Sequence, residues 1–268
     1  MLVVSLSGVF IGLAMGLTGA GGGILAVPAL VILLDLSMTE AAPIALMAVG
    51  ISAIVGALDG LNKKLVRYKA ALFMAASGAI FSHLGVRLAH IIPDAVLMTL
   101  FSALMLLIAF RMARHGVLPP AASASPRKPC MLNPLTGRLS WTGRCAAALA
   151  AIGSATGLLA GMLGVGGGFV MVPALKRCSD IGMHGIVATS LMVIALISLS
   201  TVAGILLQGA RIPATGWLFV GAAVLGMVLG RLAAPHVSAQ RLQTAFSMIA
   251  GLVAVILLIR TYVPGMPG

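Results

Sequence analysis

Eight long apolar stretches follow one another along the chain, at residues 2–34, 41–60, 70–92, 95–110, 145–175, 186–207, 213–234 and 242–260. Short polar or basic segments separate them. A run of about 20 apolar residues crosses a hydrocarbon layer about 30 Å thick as one helix. The pattern therefore predicts an all-α polytopic membrane protein. Two stretches do not fit a simple crossing. Residues 2–34 would form a helix about 50 Å long at 1.5 Å per residue, and both 2–34 and 145–175 contain glycine runs, "GAGGG" at 19–23 and "GVGGG" at 164–168. Each glycine inside a helix costs roughly 0.5–1 kcal/mol against alanine, so three in a row predict a break. Splitting the first stretch gives pieces of about 24 and 16 Å, Leu2–Leu17 and Ile24–Leu34. Neither crosses comfortably alone. The expected structure is a hairpin of two short helices with its glycine turn held inside the protein.

The two halves repeat. At a constant offset of 145, Gly12, Gly16, Gly19, Gly21, Gly22, Gly23, Val27 and Pro28 meet Gly157, Gly161, Gly164, Gly166, Gly167, Gly168, Val172 and Pro173. The register continues through Leu46-Met47 with Leu191-Met192 and Phe101-Ser102 with Phe246-Ser247, without a gap. This predicts two homologous transmembrane repeats, 1–110 and 145–268, joined by a linker at 111–144 that is rich in Pro, Ser and basic residues. Each repeat is expected to open with a Gly-broken hairpin followed by three spanning helices. If the opening stretch returned to its own side, the repeats would be inverted; if it crossed once, they would be parallel. Basic residues favour the cytoplasmic side. They divide 14 to 3 between the two faces in the inverted arrangement and 12 to 5 in the parallel one. The inverted arrangement is favoured, and the linker is expected to be cytoplasmic in both.

Composition narrows the function classes. Hydrophobic residues make up 60% and charged residues 8%, with mean hydropathy +1.15, whereas a soluble domain carries about 25% charge. The formal charge of +12 is explained by orienting loops; no aromatic-interleaved basic patch suggests nucleic acid. The apolar N-terminal stretch has no basic residue before it and is read as retained membrane structure, not a cleaved signal. Cys130, Cys145 and Cys178 are scattered and suggest neither a zinc site nor a redox pair. A phosphate-binding loop, a dinucleotide fingerprint and metal-ligand spacing are all missing, and the chain has only five acids. No catalytic residue, metal or cofactor is expected, and an enzyme is disfavoured.

Irregular backbone at membrane depth is tolerated where it is buried in protein or lines a watery cavity. Broken helices in transporters aim their N-termini, with free N–H groups and a positive dipole end, at anionic substrates. The candidate substrate-binding residues are therefore Gly19, Gly21, Gly22 and Gly23 in the first turn and Gly164, Gly166, Gly167 and Gly168 in the second. Thr18, Thr189 and Ser190 add hydroxyl donors, with a bond to the preceding helical turn as the competing role. Arg87 and Arg231 are second-rank candidates for an anion guide or gate, with snorkelling to the interface as the plainer account. His83 and His90 are expected in packing roles, Asp59 in a helix-end pair with Lys63. Gly12, Gly16, Gly157 and Gly161, spaced by four, suit close helix packing.

The motifs "GLTGAGGGILAVPAL" (16–30) and "GMLGVGGGFVMVPAL" (161–175), with "VATSLMV" (187–193) and "GRLA" (230–233), resemble the TauE/SafE sulfite exporter family, also called the toluenesulfonate uptake permease family, across nearly the whole chain. The resemblance implies a multi-pass carrier of the bacterial inner membrane, exporting small sulfur-containing anions such as sulfite, sulfoacetate or other organosulfonates. Alternating access about a midplane site between the two glycine hairpins is the expected mechanism. The partners are then a small anion and the lipid bilayer, with room for a homo-oligomer. The first half has "APIAL" (42–46) where the second has "ATSL" (188–191), so hydroxyls of that motif could bind only from Thr189 and Ser190. An anion channel, an uptake permease for another anion and a structural membrane protein are the alternatives.

Overall fold

The computed structural model describes residues 2–18, 22–115, 129–131, 140–207, 209, 212–234 and 239–262. Within them run α1 (Leu2–Thr18), a 3-10 turn (Gly22–Leu25), α2 (Ala26–Leu34), α3 (Met38–Asn62), α4 (Tyr68–Ile91) and α5 (Asp94–His115). After the linker come α6 (Gly143–Leu163), α7 (Gly168–Cys178), α8 (Met183–Leu207), α9 (Ala214–Ala233) and α10 (Ala239–Tyr262). Both halves thus use one order: a broken pair, then three helices. Among the described residues seven helices, α3–α6 and α8–α10, are long and apolar enough to cross a membrane. The glycine run at 164–168 does break its stretch; in the first, α1 ends at Thr18 and the 3-10 turn begins at Gly22, with 19–21 outside the described residues. The stretch expected at 186–207 starts earlier, at Met183, so Thr189 and Ser190 lie within α8.

Helix ends follow local chemistry. Ser37 accepts from the Glu40 N–H while Glu40 Oε2 accepts from the Ser37 N–H at 3.1 Å, a reciprocal cap that starts α3. Asp35, at φ 54, ends α2 in the left-handed region, and Arg260 at the end of α10 holds it by an ion pair while donating to the Val31 carbonyl at 2.8 Å. Thr142 caps α6 by accepting from the Cys145 N–H at 3.2 Å.

The centre is the α3–α8 pair. Of the most apolar window of each helix, 72% is buried in α3 and 50% in α8, against 28% in α5 and α10; α5 and α10 are therefore peripheral and pack on each other. A Cβ on Gly50 would lie 2.8 Å from Ser198 Cβ, and one on Gly60 would lie 2.8 Å from Ala188 Cβ. Ten residues forward along α3 correspond to ten back along α8, so the two helices run antiparallel. By the same criterion α4 and α6 run parallel: Gly153 meets Met74, Gly157 meets Gly78 and Gly161 meets Ser82. On the other flank α1 packs along α9, with Gly8 against Phe219 and Ala222 and Gly16 against Gly230. These pairings exchange between the halves, α1 with α9 answering α6 with α4. Lipid offers no hydrophobic drive for helix association, so close backbone contact through small residues supplies it.

Helices α6 and α7 form a hairpin. From Cys145 to Leu163 α6 runs about 27 Å. The chain then turns back until Gly167 rests on Thr156, about 10 Å from the end of α6, and α7 adds about 16 Å. The return closes the distance. Cys130 ties the two ends together: it is disulfide-bonded to Cys145, with Cα atoms 4.8 Å apart, and its N–H donates to the Cys178 carbonyl at 3.0 Å. The scattered spacing, which suggested neither a zinc site nor a redox pair, thus hides a bonded pair. Cys130, in an isolated β-bridge with Ser179, meets Cys145 and Cys178 at the hairpin base, and nothing in their spacing announces it.

Alanine at Gly157 would put its Cβ 2.6 Å from Gly78 Cα and into the Gly78 carbonyl. Gly157→Ala is expected to lower stability by about 1–3 kcal/mol. Gly221→Ala on α9, where a Cβ meets nothing within 4 Å, should leave stability unchanged or raise it by up to about 1 kcal/mol. Denaturation of both variants in detergent checks the contrast.

Candidate functional site

The second turn has a backbone that L side chains rarely adopt. Gly164, Gly166 and Gly167 stand at φ 72, 66 and 65, in the left-handed region where a Cβ is costly. A Cβ on Gly166 would also crowd Val49 Cγ1 at 2.9 Å and Ile194 Cγ2 at 3.0 Å. The first turn reaches the same place: a Cβ on Gly23 would lie 3.0 Å from Val49 Cγ2 and 3.6 Å from the Val165 carbonyl oxygen. Val49 of α3 thus touches both turns, and Ile194 is its counterpart 145 residues on. Gly22 sits back against Met15, its added Cβ 2.5 Å from Met15 Cα. Gly19 and Gly21 lie outside the described residues.

Polar backbone groups collect at this meeting point. Gly167, the N-cap of α7, accepts through its carbonyl from Val170 and Met171 at 3.1 and 3.2 Å, which starts the helix over Gly168. No described residue accepts a hydrogen from the N–H of Val165, Gly166 or Gly167, all buried. Buried amides without acceptors are rare in folded proteins, and here they stand at the positive end of a helix.

Access to the turn differs between the two faces. At the face where α3 begins, a cavity of about 270 Å³ lies among Thr39, Glu40, Ala42, His90, Met162 and Leu206. Its wall at Ala42 is the surface on which Gly164 packs. At the opposite face, which holds the hairpin base and the α3–α4 loop, polar contacts close the bundle. Arg231 donates to the Gly56 carbonyl at 2.7 Å and lies 3.3 Å from the Asp59 carboxylate, which Lys63 meets at 3.0 Å. The Arg67 N–H donates to Thr189 Oγ1 at 3.1 Å.

The remaining sequence candidates make contacts of their own. Thr18 and Ser190 spend their hydroxyl hydrogens on the carbonyls of Ala14 and Val187, at 2.7 and 2.8 Å. Thr189 serves the α3–α4 loop. His83 and His90 bond the carbonyls of Ala79 and Val86. Arg231 is half-buried and cross-links α9 to α3, whereas Arg87 is exposed. The near match of "GVRLA" and "GRLAA" hides a one-residue offset: Arg87 aligns with Leu232, and one residue turns a helix by 100°, so the two arginines face different ways. Conversely, the buried hydroxyls of Ser52, Thr156 and Ser198 have no partner. Sequence gave no means of choosing them, because serine and threonine in membrane helices usually bond the preceding turn.

This difference predicts unequal costs. Arg231→Gln should lose about 1–2 kcal/mol, the worth of a charged hydrogen bond to Gly56 discounted for partial exposure. Arg87→Gln should stay within about 0.5 kcal/mol of the parent. Thermal unfolding of the purified variants compares them.

Comparison with known proteins agrees with this architecture. Residues 4–257 match the family described as "Sulfite exporter TauE/SafE". The chain is 27% identical over 271 residues to a "Probable membrane transporter protein" of Xylella fastidiosa (strain Temecula1 / ATCC 700964), covering 97% of this chain and 96% of that protein. It is 25% identical over 236 residues to the "Probable membrane transporter protein YunE" of Bacillus subtilis (strain 168), covering 85% of each. With two glycine turns meeting across Val49 and seven helices fit to span a bilayer, the chain is a multi-pass membrane protein that belongs to the TauE/SafE sulfite exporter family.

Proposed function

We propose that this chain is a secondary carrier that exports a small sulfur oxyanion, such as sulfite, sulfoacetate or another organosulfonate, by alternating access around a site between the two glycine turns. The observation that carries the reading is the set of three buried N–H groups at Val165, Gly166 and Gly167 that have no acceptor among the described residues. An oxyanion offers the acceptors these groups lack, and amide donors hold it without a buried cation. In this arrangement the cavity beside Ala42 is the open vestibule, and the Arg231–Asp59 and Arg67–Thr189 contacts close the other side.

The repeats are 1–110 and 145–268, inverted, with 111–144 a cytoplasmic linker. Support comes from the antiparallel run of α3 against α8, which occupy equivalent places in the two halves. The contacts of Arg260 with Asp35 and of Arg67 with Thr189 point the same way. Each joins segments that share a face only if the opening hairpins return to their own sides. An inside-negative membrane potential drives anion export at about 2.3 kcal/mol per charge per 100 mV. No covalent step is needed.

Counterflow in proteoliposomes tests the reading. Vesicles preloaded with unlabelled sulfite or an alkanesulfonate should accumulate the labelled anion transiently, and Gly167→Ala should cut the rate about tenfold or more per folded protein. Flux without trans-stimulation would mark a channel. No flux of any sulfur oxyanion would remove the carrier reading.

A further inference from the structure

Hydroxyls in this bundle follow one habit. Those of Thr18, Ser77, Ser82 and Ser190 donate to a carbonyl three or four residues back, at 2.7–3.0 Å, as a hydroxyl in a membrane helix ordinarily does. Ser198 on α8 and Thr156 on α6 break the habit. Both are fully buried at 0% exposure, and neither hydroxyl has a partner. A buried hydroxyl left unpaired costs about 1–3 kcal/mol.

Their location accounts for this. Ser198 Oγ lies 3.8 Å from the position a Cβ would take on Gly166 and 3.7 Å from that on Gly50, between α3 and the second turn. Thr156 lies under Gly167, whose added Cβ would overlap the threonine methyl and come within 2.8 Å of its carbonyl. The Ser198 hydroxyl and the Thr156 side chain, whose methyl makes the nearest contact, therefore flank the two successive left-handed glycines, whose amides have no acceptor among the described residues. Other atoms crowding Gly166 belong to Val49 and Ile194, which are apolar.

We propose that Ser198 and Thr156 are substrate-binding residues, the side-chain donors that complete an oxyanion site closed by the Gly166–Gly167 backbone. The inference rests on the carrier reading and moves the hydroxyl ligands from Thr189 and Ser190 to these two positions. Ser198 donates from α8 and Thr156 from α6, so the site joins the hairpin to the central pair. Helix α7 directs its N-terminus at the same point.

The test measures counterflow of labelled methanesulfonate, with KM and maximal rate for each variant normalised to monodisperse protein. A lost hydrogen bond to a charged ligand corresponds to roughly a ten- to hundredfold effect. Ser198→Ala and Thr156→Val should each raise KM by about that factor, and Thr156→Ser, which keeps the hydroxyl, should stay near the parent. Ser102→Ala is the control, since that hydroxyl is equally buried and unpaired but sits on peripheral α5; its KM should not move. Wild-type counterflow with unchanged KM in Ser198→Ala and Thr156→Val would overturn the inference and leave the carrier reading standing. Absence of wild-type counterflow for methanesulfonate, sulfite and sulfoacetate alike would overturn both. If Ser198→Ala does not fold, the contrast between Thr156→Val and Thr156→Ser decides.

Discussion

A chain can reverse direction inside a membrane protein only where its backbone polar groups are shielded from lipid and its turn geometry is affordable. Gly164, Gly166 and Gly167 meet both conditions, with positive φ at all three and no room for side chains. The rest of the architecture depends on that reversal. It lets α7 climb back to the base of α6, where Cys130 joins both ends. It also leaves the buried amides of Val165, Gly166 and Gly167 without an acceptor among the described residues.

Packing around the turns follows from what a bilayer withholds. Without a hydrophobic drive between helices, the flanks rely on backbone contact, Gly157 on Gly78 and Gly16 on Gly230. Such contacts make each flank, α4 with α6 and α1 with α9, a closely joined unit. The central α3–α8 pair lies between these flanks and presents Val49 and Ile194 to the turns. Arg231, Asp59 and Arg67 make polar cross-links at one face, while the other carries the Arg260–Asp35 pair and a cavity.

Much of this was legible in the residues because length and glycine placement are coarse constraints. A stretch about 50 Å long cannot be one crossing, and a gapless offset of 145 cannot arise from apolar bias alone. Helix ends were less legible, since caps such as Ser37 and Thr142 extend helices beyond their apolar runs. Side-chain roles were least legible. Thr18 and Ser198 look alike in sequence, yet one hydroxyl bonds Ala14 and the other faces the turn, a difference set by which neighbour crowds the helix. Arg87 and Arg231 look equivalent until one residue of offset sends them to different faces. The Cys130–Cys145 pair joins the linker to α6 and has no motif to betray it.

The central claim is that the glycine hairpins return to their own sides and so invert the second repeat. Impermeant thiol labelling of intact cells tests it most directly, in a Cys178→Ser background with single cysteines at Lys63 and Gly209, both exposed. With Cys130 and Cys145 also replaced by serine, the account predicts that Gly209→Cys labels from outside and Lys63→Cys only after the membrane is opened. Labelling of both positions from the same side would contradict it.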